Sequence, residues 1–288
     1  MQAHKIDSDD LTRFEINEDI STFFGNWYSS STISSKDFSH ATPYPHVVID
    51  NFLSPTVLNR VISDYPRVDN SWHVYNNPIE VKFSLDDLNK MPDSIQKVFY
   101  ALYTREFIAK LCELTGINDL EIDPHLVGAG LHAHPRHGRL HVHLDYENHP
   151  IMVDKERRLN IILYLSPNWK QEYNGATELW DAEVTHCSKK ISVEMNRALI
   201  FRTNDVSYHG LPDHVLCPAH IKRQSLAIYY MSPLTTNKKE YRMKASYVKR
   251  PSDPENPRME TLYKIRPHRR ITSDDMSRIW PEWSMEQM

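Results

Sequence analysis

The chain has 288 residues, 34 Lys or Arg against 38 Asp or Glu, and a formal net charge of −4; it is 40% hydrophobic and 25% charged. That is ordinary globular composition, long enough to bury a substantial core, and its slight acidity argues against a general nucleic-acid binder. Cys112, Cys187 and Cys217 form no disulfide framework, Met1 to Asp10 is polar, and no run approaches about 18 apolar residues, so a soluble, cytoplasmic protein without a membrane span is expected.

Residues 1–43 are polar, with a hydroxyl-rich run from Ser29 to Ser35, and read as an N-terminal arm. Residues 44–123 read as a helical support region. It opens with a strand, His46 to Asp50. Ser54-Pro55 then offers an N-cap followed by proline at the first helical position, with Val57, Leu58, Val61 and Ile62 at helical spacing. Ser94 to Leu114 predicts one or two amphipathic helices, with Val98, Phe99, Leu102, Phe107, Ile108 and Leu111 on the apolar stripe.

From 124 to 233 the pattern changes to short strands, at 126–131, 140–144, 159–165, 176–179, 191–194, 198–201 and 223–231. Five of the seven glycines lie between Gly128 and Gly210, where turns need them. Many short strands with turn signals predict a sandwich or barrel; a jelly roll is the version that can hold a metal in its mouth. Residues 234–288 read as an irregular C-terminal extension. Asn237 to Arg270 carries eleven Lys or Arg against four Asp or Glu, with Tyr241, Tyr247 and Tyr263 interleaved. Folded over a pocket, this stretch would favour an anionic substrate; the plainer reading is a solvated basic surface.

Within the strand region, His143 and Asp145 stand two apart in a run whose intervening residues Leu140, Val142 and Leu144 are apolar. On a strand such a pair points to one side. A further histidine, His209, follows in Ser207-Tyr-His-Gly210. Two histidines and one carboxylate hold one face of an octahedral metal and leave three positions open, the ligand set of non-heme Fe(II) oxygenases. Seven of the sixteen histidines fall between His125 and His149, so most of those are packing or surface residues. Structural zinc usually wants four ligands, often cysteine, and no Cys-x-x-Cys is present.

Four landmarks then occur in order: His143-Leu-Asp145; Arg158-Leu-Asn-Ile-Ile-Leu-Tyr-Leu-Ser-Pro-Asn-Trp169; Tyr173-Asn-Gly-Ala-Thr-Glu-Leu-Trp180; and Asn196-Arg-Ala-Leu-Ile-Phe-Arg202 followed by His209-Gly210 and Arg223 to Tyr230. The stretch from about 126 to 232 resembles the prolyl-4-hydroxylase-type branch of the Fe(II)/2-oxoglutarate dioxygenases. The resemblance implies a mainly β, α+β chain with flanking helices and a double-stranded β-helix core of jelly-roll or cupin-like form. It implies Fe(II) held by His143, Asp145 and His209, with 2-oxoglutarate chelating the metal. Arg223, Ser225 and Tyr164 would hold the distal carboxylate, and Asn160 and Ile162 would line the pocket; where many relatives place a tyrosine on the neighbouring strand this chain has His132 and His134, which would contact the cosubstrate, orient a ligand or line the substrate cavity. The cofactors would be Fe(II), 2-oxoglutarate and O₂, with ascorbate as a stimulant. The implied reaction is hydroxylation of an unactivated C–H bond in a small molecule, amino acid or peptidyl, proline-like substrate, with succinate and CO₂ as coproducts. Asp145 argues against a halogenase, which would carry a small residue there.

The chain departs from the pattern in two further places. The Gly-Gly turn is Gly175-Ala176, and the segment from His209 to Arg223 is long, with His214 to His220 inserted. If the insertion shifted the register, Lys222 would replace Arg223. Two other functions remain on the sequence alone: a cupin-like hydrolase or isomerase that needs no dicarboxylate site, and an inactive binding module.

Overall fold

The computed structural model describes residues 19–30, 33–235 and 241–283. Much of the N-terminal arm, including residues 1–18, and the start of the basic stretch at 236–240 therefore lie outside the described residues. The strands are β1 His46–Ile49, β2 His73–Asn77, β3 Glu80–Leu85, β4 Glu121–Ile122, β5 Gly130–His134, β6 Arg139–Leu144, β7 Lys155–Tyr164, β8 Thr177–Trp180, β9 Cys187–Ile191, β10 Ala198–Arg202, β11 His209–Leu211, β12 Arg223–Pro233 and β13 Ser246–Tyr247. The helices are α1 Trp27–Ser30, α2 Ser35–Ser39, α3 Pro55–Asp64, α4 Asp93–Tyr103, α5 Arg105–Thr115, α6 Pro257–Ile265 and α7 Ser273–Ile279.

The described strand pairs are antiparallel, and ten strands form one continuous path, β1-β10-β7-β12-β5-β3-β6-β11-β8-β9, with β2, β4 and β13 pairing off it onto β3, β12 and β6. The path curls on itself, because β3 pairs with both β5 and β6 and so joins two walls, β1-β10-β7-β12-β5 and β6-β11-β8-β9. Contacts across the interior hold the walls together. The Phe201 ring on β10 lies 4.7 Å from that of His209 on β11. The Tyr164 hydroxyl on β7 donates to Thr177 Oγ1 on β8 at 2.8 Å. This is the mainly β, double-stranded β-helix arrangement that the sequence predicts.

Alternation along β7 explains both sides of the larger wall. Leu159, Ile161 and Leu163 face outward into the core beneath the helices, with Leu226 and Ile228 of β12 and Val98, Phe99, Leu102, Phe107 and Leu111 of α4 and α5. Each such fully buried side chain stabilises the fold by about 1.5–3 kcal/mol. Asn160, Ile162 and Tyr164 face inward. The predicted helical stretch is two helices: Thr104 ends α4, and its hydroxyl accepts from the Phe107 amide to cap α5.

Several elements differ from the sequence reading. The first barrel strand begins at Gly130, four residues later than expected, because Leu126, Gly128 and Gly130 all have positive φ and form a turn. A Cβ at Gly130 would meet the Leu85 carbonyl at 2.1 Å, so glycine there lets β3 approach. The strand expected at 191–194 lies earlier, at Cys187–Ile191. The β2–β3 hairpin was missed in a region read as helical after its first strand, and α6 and α7 lie in the extension read as irregular.

Candidate metal and cosubstrate site

His143 is the penultimate residue of β6, Asp145 follows the strand end, and His209 opens β11 and pairs directly with His143. The pairing carries a bulge: His209 faces His143, yet Leu211 faces Leu140, so β6 holds one extra residue. The bulge corrects the simple alternation expected of this strand. Leu140 lines the interior cavity, while His141 faces out, its Nδ1 2.9 Å from the Tyr263 hydroxyl. Val142 does face a packed cluster, with Trp180 and Val184.

One ligand atom from each of His143, Asp145 and His209 lies within 4.8 Å of the others. Each imidazole is oriented by its own backbone: His143 Nδ1 lies 2.8 Å from His141 O and His209 Nδ1 lies 2.9 Å from Ser207 O. A carbonyl only accepts, so both Nδ1 atoms carry the proton and both Nε2 lone pairs are free for a metal. Burial first, then the neighbouring His143, pull the His209 pKa down to about 4, so its ring is neutral at pH 7. The donor set therefore fits a divalent ion with open positions.

Arg157, which the sequence reading did not single out, sits behind the carboxylate. Its Nη1 is 2.7 Å from Asp145 Oδ1, and its guanidinium lies between the rings of Tyr146 and Tyr229, at 3.8 and 3.5 Å from their centroids. Burial alone would push the Asp145 carboxyl up; Arg157, then His209 and His143, hold it well below the usual range. Asn160 Nδ2 reaches Asp145 Oδ2 at 3.4 Å, so this inward residue serves the metal end. Arg242 from the C-terminal extension donates to the Asp145 carbonyl at 2.6 Å. Arg157 was readable only as one of two adjacent arginines; nothing in the sequence says which one turns inward.

The cavity next to these residues measures about 160 Å³. At its inner end lies Arg223, only 3% exposed. Its Nε donates to the Gly175 carbonyl at 2.7 Å, Nη2 reaches Thr177 Oγ1 at 3.2 Å, and the guanidinium stands 5.0 Å from the centroid of the Tyr164 ring. No described carboxylate pairs with it. Burial lowers the Arg223 pKa, with the Tyr164 ring opposing. Gly175 is required here: φ is +88°, and a Cβ would press to 3.0 Å on Arg223 Cδ. Ser225 lies two along on the same face of β12 and lines the cavity. Tyr164 is fully buried and gives its hydroxyl to Thr177, a threonine that the sequence reading had not assigned a role.

His134 and His132 pair with Arg223 and Ser225 across β12 and line the same cavity. Both His134 ring nitrogens and His132 Nε2 are buried without a hydrogen-bond partner. Burial, then the charge of Arg223, drive the His134 pKa well below its usual value, so these rings are neutral donors or acceptors facing space for a ligand. The inserted segment leaves the register intact. The Val215 amide donates to the Gly138 carbonyl and the His137 amide to the Val215 carbonyl, which folds the insertion against the β5–β6 turn, outside the cavity. Arg223 faces in, and Lys222 precedes the strand and does not line the cavity.

Residues 129–231 match the family model of the 2OG-Fe(II) oxygenase superfamily. No curated protein matches the chain. Among solved structures it is similar to a prolyl-4-hydroxylase from Pseudomonas putida, with a TM-score of 0.51, 15% identity, and 70% of this chain and 97% of that chain covered. It is also similar to a prolyl hydroxylase from Trichoplax adhaerens in complex with a hypoxia inducible factor peptide fragment (TM-score 0.49, 16% identity, 78% and 94% covered). The prolyl 4-hydroxylases of Phytophthora capsici give a TM-score of 0.49, 17% identity, and 95% and 83% covered. Among the described residues no helix is long and apolar enough to cross a membrane. The matched segment 129–231 contains His143, Asp145, His209 and Arg223, and the fold around it is one shared with the Pseudomonas putida prolyl-4-hydroxylase.

Proposed function

We propose that the chain hydroxylates an unactivated C–H bond of a small-molecule or peptidyl substrate, with His143, Asp145 and His209 as the Fe(II) ligands and Arg223 as the anchor of the 2-oxoglutarate distal carboxylate. The observation that carries this reading is a pair of complementary groups lining one cavity: three convergent metal donors, and a buried arginine with no described carboxylate partner. A dicarboxylate that chelates a metal at one end and offers a second carboxylate at the other satisfies both. Bound Fe(II) and 2-oxoglutarate supply the oxidising power through decarboxylation to succinate and CO₂.

The chain's own residues bind, orient and exclude water. His141 and Ser207 carbonyls aim the two imidazoles. Arg157 fixes the rotamer of Asp145 and keeps it ionised. Tyr164, through Thr177, supports Arg223, Ser225 lines the cavity two residues along, and the neutral His134 and His132 offer hydrogen bonds along the cosubstrate. Tyr247, stacked on His143 at 5.0 Å and 25° between planes, covers the metal end from β13. A cupin-like hydrolase would have no use for a buried Arg223. Asp145→Ala is expected to lower succinate formation from 2-oxoglutarate at least a hundredfold at saturating Fe(II); turnover equal to the parent would remove Asp145 from the metal site and overturn the proposal.

A further inference from the structure

The same cavity has a second cationic end, on the side of the C-terminal extension. Six cationic side chains line the cavity, Lys82, Arg157, Arg223, Lys244, Arg266 and Arg270, against two carboxylates, Asp145 and Glu80. Asp145 is taken by Arg157, and an Fe(II) ion and a 2-oxoglutarate dianion neutralise each other. Glu80, buried at 2% exposure, is shared by Arg266 at 3.2 Å and Lys82 at 3.3 Å. Lys244 and Arg270 have no carboxylate partner among the described residues. Three of the positive charges at this end are therefore uncompensated.

These groups are also placed by aromatic rings. Arg270 and Lys82 lie over the Tyr75 ring at 4.8 and 5.1 Å, and Arg266 over the Tyr247 ring at 5.5 Å. Tyr247 is the ring stacked on the metal-end histidine His143. The cationic cluster thus begins one aromatic ring away from the proposed iron. Like charges held together in a half-enclosed cavity raise the potential there and favour an anion strongly. The low volume of the cavity favours a small oxyanion over a polymer.

We propose that Arg266, Arg270 and Lys244 form a substrate subsite for an oxyanion, so that the enzyme oxidises a small substrate carrying a phosphate or carboxylate group. This rests on the Fe(II)/2-oxoglutarate reading of the same cavity. The anion would be held by Arg270 and Lys244 at the rim, with Arg266 beneath, while the remainder of the substrate reaches across Tyr247 toward the metal. A lone basic surface would not need Glu80 buried between two of the cations; that carboxylate fixes Arg266 and Lys82 while leaving the cluster positive.

The test is anaerobic calorimetric titration of the Fe(II)-loaded, 2-oxoglutarate-saturated protein with phenyl phosphate, phenylacetate and, as the neutral control, benzyl alcohol. The visible iron–2-oxoglutarate charge-transfer band is monitored throughout. Expected is binding of at least one anion tenfold or more tighter than the alcohol with the band retained; the tighter of the two names the oxyanion. In Lys244→Gln/Arg270→Gln, both rim positions, the preference should shrink at least fivefold, and Lys244→Arg/Arg270→Lys should restore it. Equal binding of anion and alcohol would overturn the subsite, as would a preference that the Gln variant keeps or an anion that abolishes the band by displacing the cosubstrate. A band absent before any anion is added would instead contradict the cosubstrate reading itself.

Discussion

Two buried arginines in this cavity are used in opposite ways. Arg157 has its charge met inside the protein: Asp145 Oδ1 lies 2.7 Å from Nη1 and two tyrosine rings enclose its plane, while its Nε makes no hydrogen bond. Arg223 has a carbonyl, a threonine hydroxyl and a ring for neighbours, but no described anion. A buried cation is tolerated only when its charge is met. Arg157 meets that condition within the protein and so acts on the metal through Asp145. Arg223 has no described anion to meet it, which is why the proposed function places the distal carboxylate of the cosubstrate there. The difference separates a residue that positions from one that binds.

The largest effect expected from breaking this contrast is at Arg223. Arg223→Met should raise the KM for 2-oxoglutarate about a hundredfold, the loss of charge-assisted bonds worth about 1.5–3 kcal/mol. The kcat at saturation should fall much less, and Arg223→Lys should lie between. An unchanged KM in steady-state assays would move the anchor elsewhere. Arg157→Met should act on the other end, weakening Fe(II) binding by about 10- to 100-fold with little change in 2-oxoglutarate KM at saturating metal. A larger loss of 2-oxoglutarate than of metal affinity would erase the distinction. Gly175→Ala perturbs Arg223 indirectly: strain at φ +88° and pressure on Arg223 Cδ should lower stability by about 1–3 kcal/mol and raise the KM several-fold, read by urea unfolding and kinetics.

Glu80 gives a third, smaller case, a carboxylate between two cations. Burial would raise its pKa, but Arg266 and Lys82 hold it down at about 2 from an ordinary 4.5. A depressed carboxylate contributes stability fully above the unfolded value and loses it as pH falls toward the folded one. Its contribution should therefore disappear between about pH 4.5 and 2. The urea midpoint of Glu80→Gln should fall less steeply than the parent's across that window; parallel curves would mean that Glu80 is not ionised in the folded protein.

How far the sequence carries depends on where each residue's partner lies. The convergence of His143, Asp145 and His209 and the placing of Arg223 in their cavity could be anticipated from the order and spacing of the motifs, while their roles stay with the proposed function. The outward face of β7 and the stripe of α4 and α5 were legible because strand alternation and helical spacing are local. The bulge in β6 was not, because it exists only in the register of β6 against β11. Arg157 was invisible because its meaning comes from Asp145 and Tyr146 on one segment and Tyr229 on a distant strand. The β2–β3 hairpin carried a signal, an Asn77-Pro78 turn between alternating residues, which the helical neighbours overshadowed. The basic stretch was legible as charge, but its arrival at the cavity through Lys244, Arg266 and Arg270 depends on β13 pairing with β6.

The most direct test of the central claim is anaerobic titration of the Fe(II)-loaded protein with 2-oxoglutarate, watching the weak visible metal-to-ligand charge-transfer band. The account predicts that the band forms in the parent, is lost in His209→Ala, and needs about a hundredfold more 2-oxoglutarate in Arg223→Met. Tight Fe(II) binding without that band would contradict it and assign the barrel to metal chemistry that uses no 2-oxoglutarate.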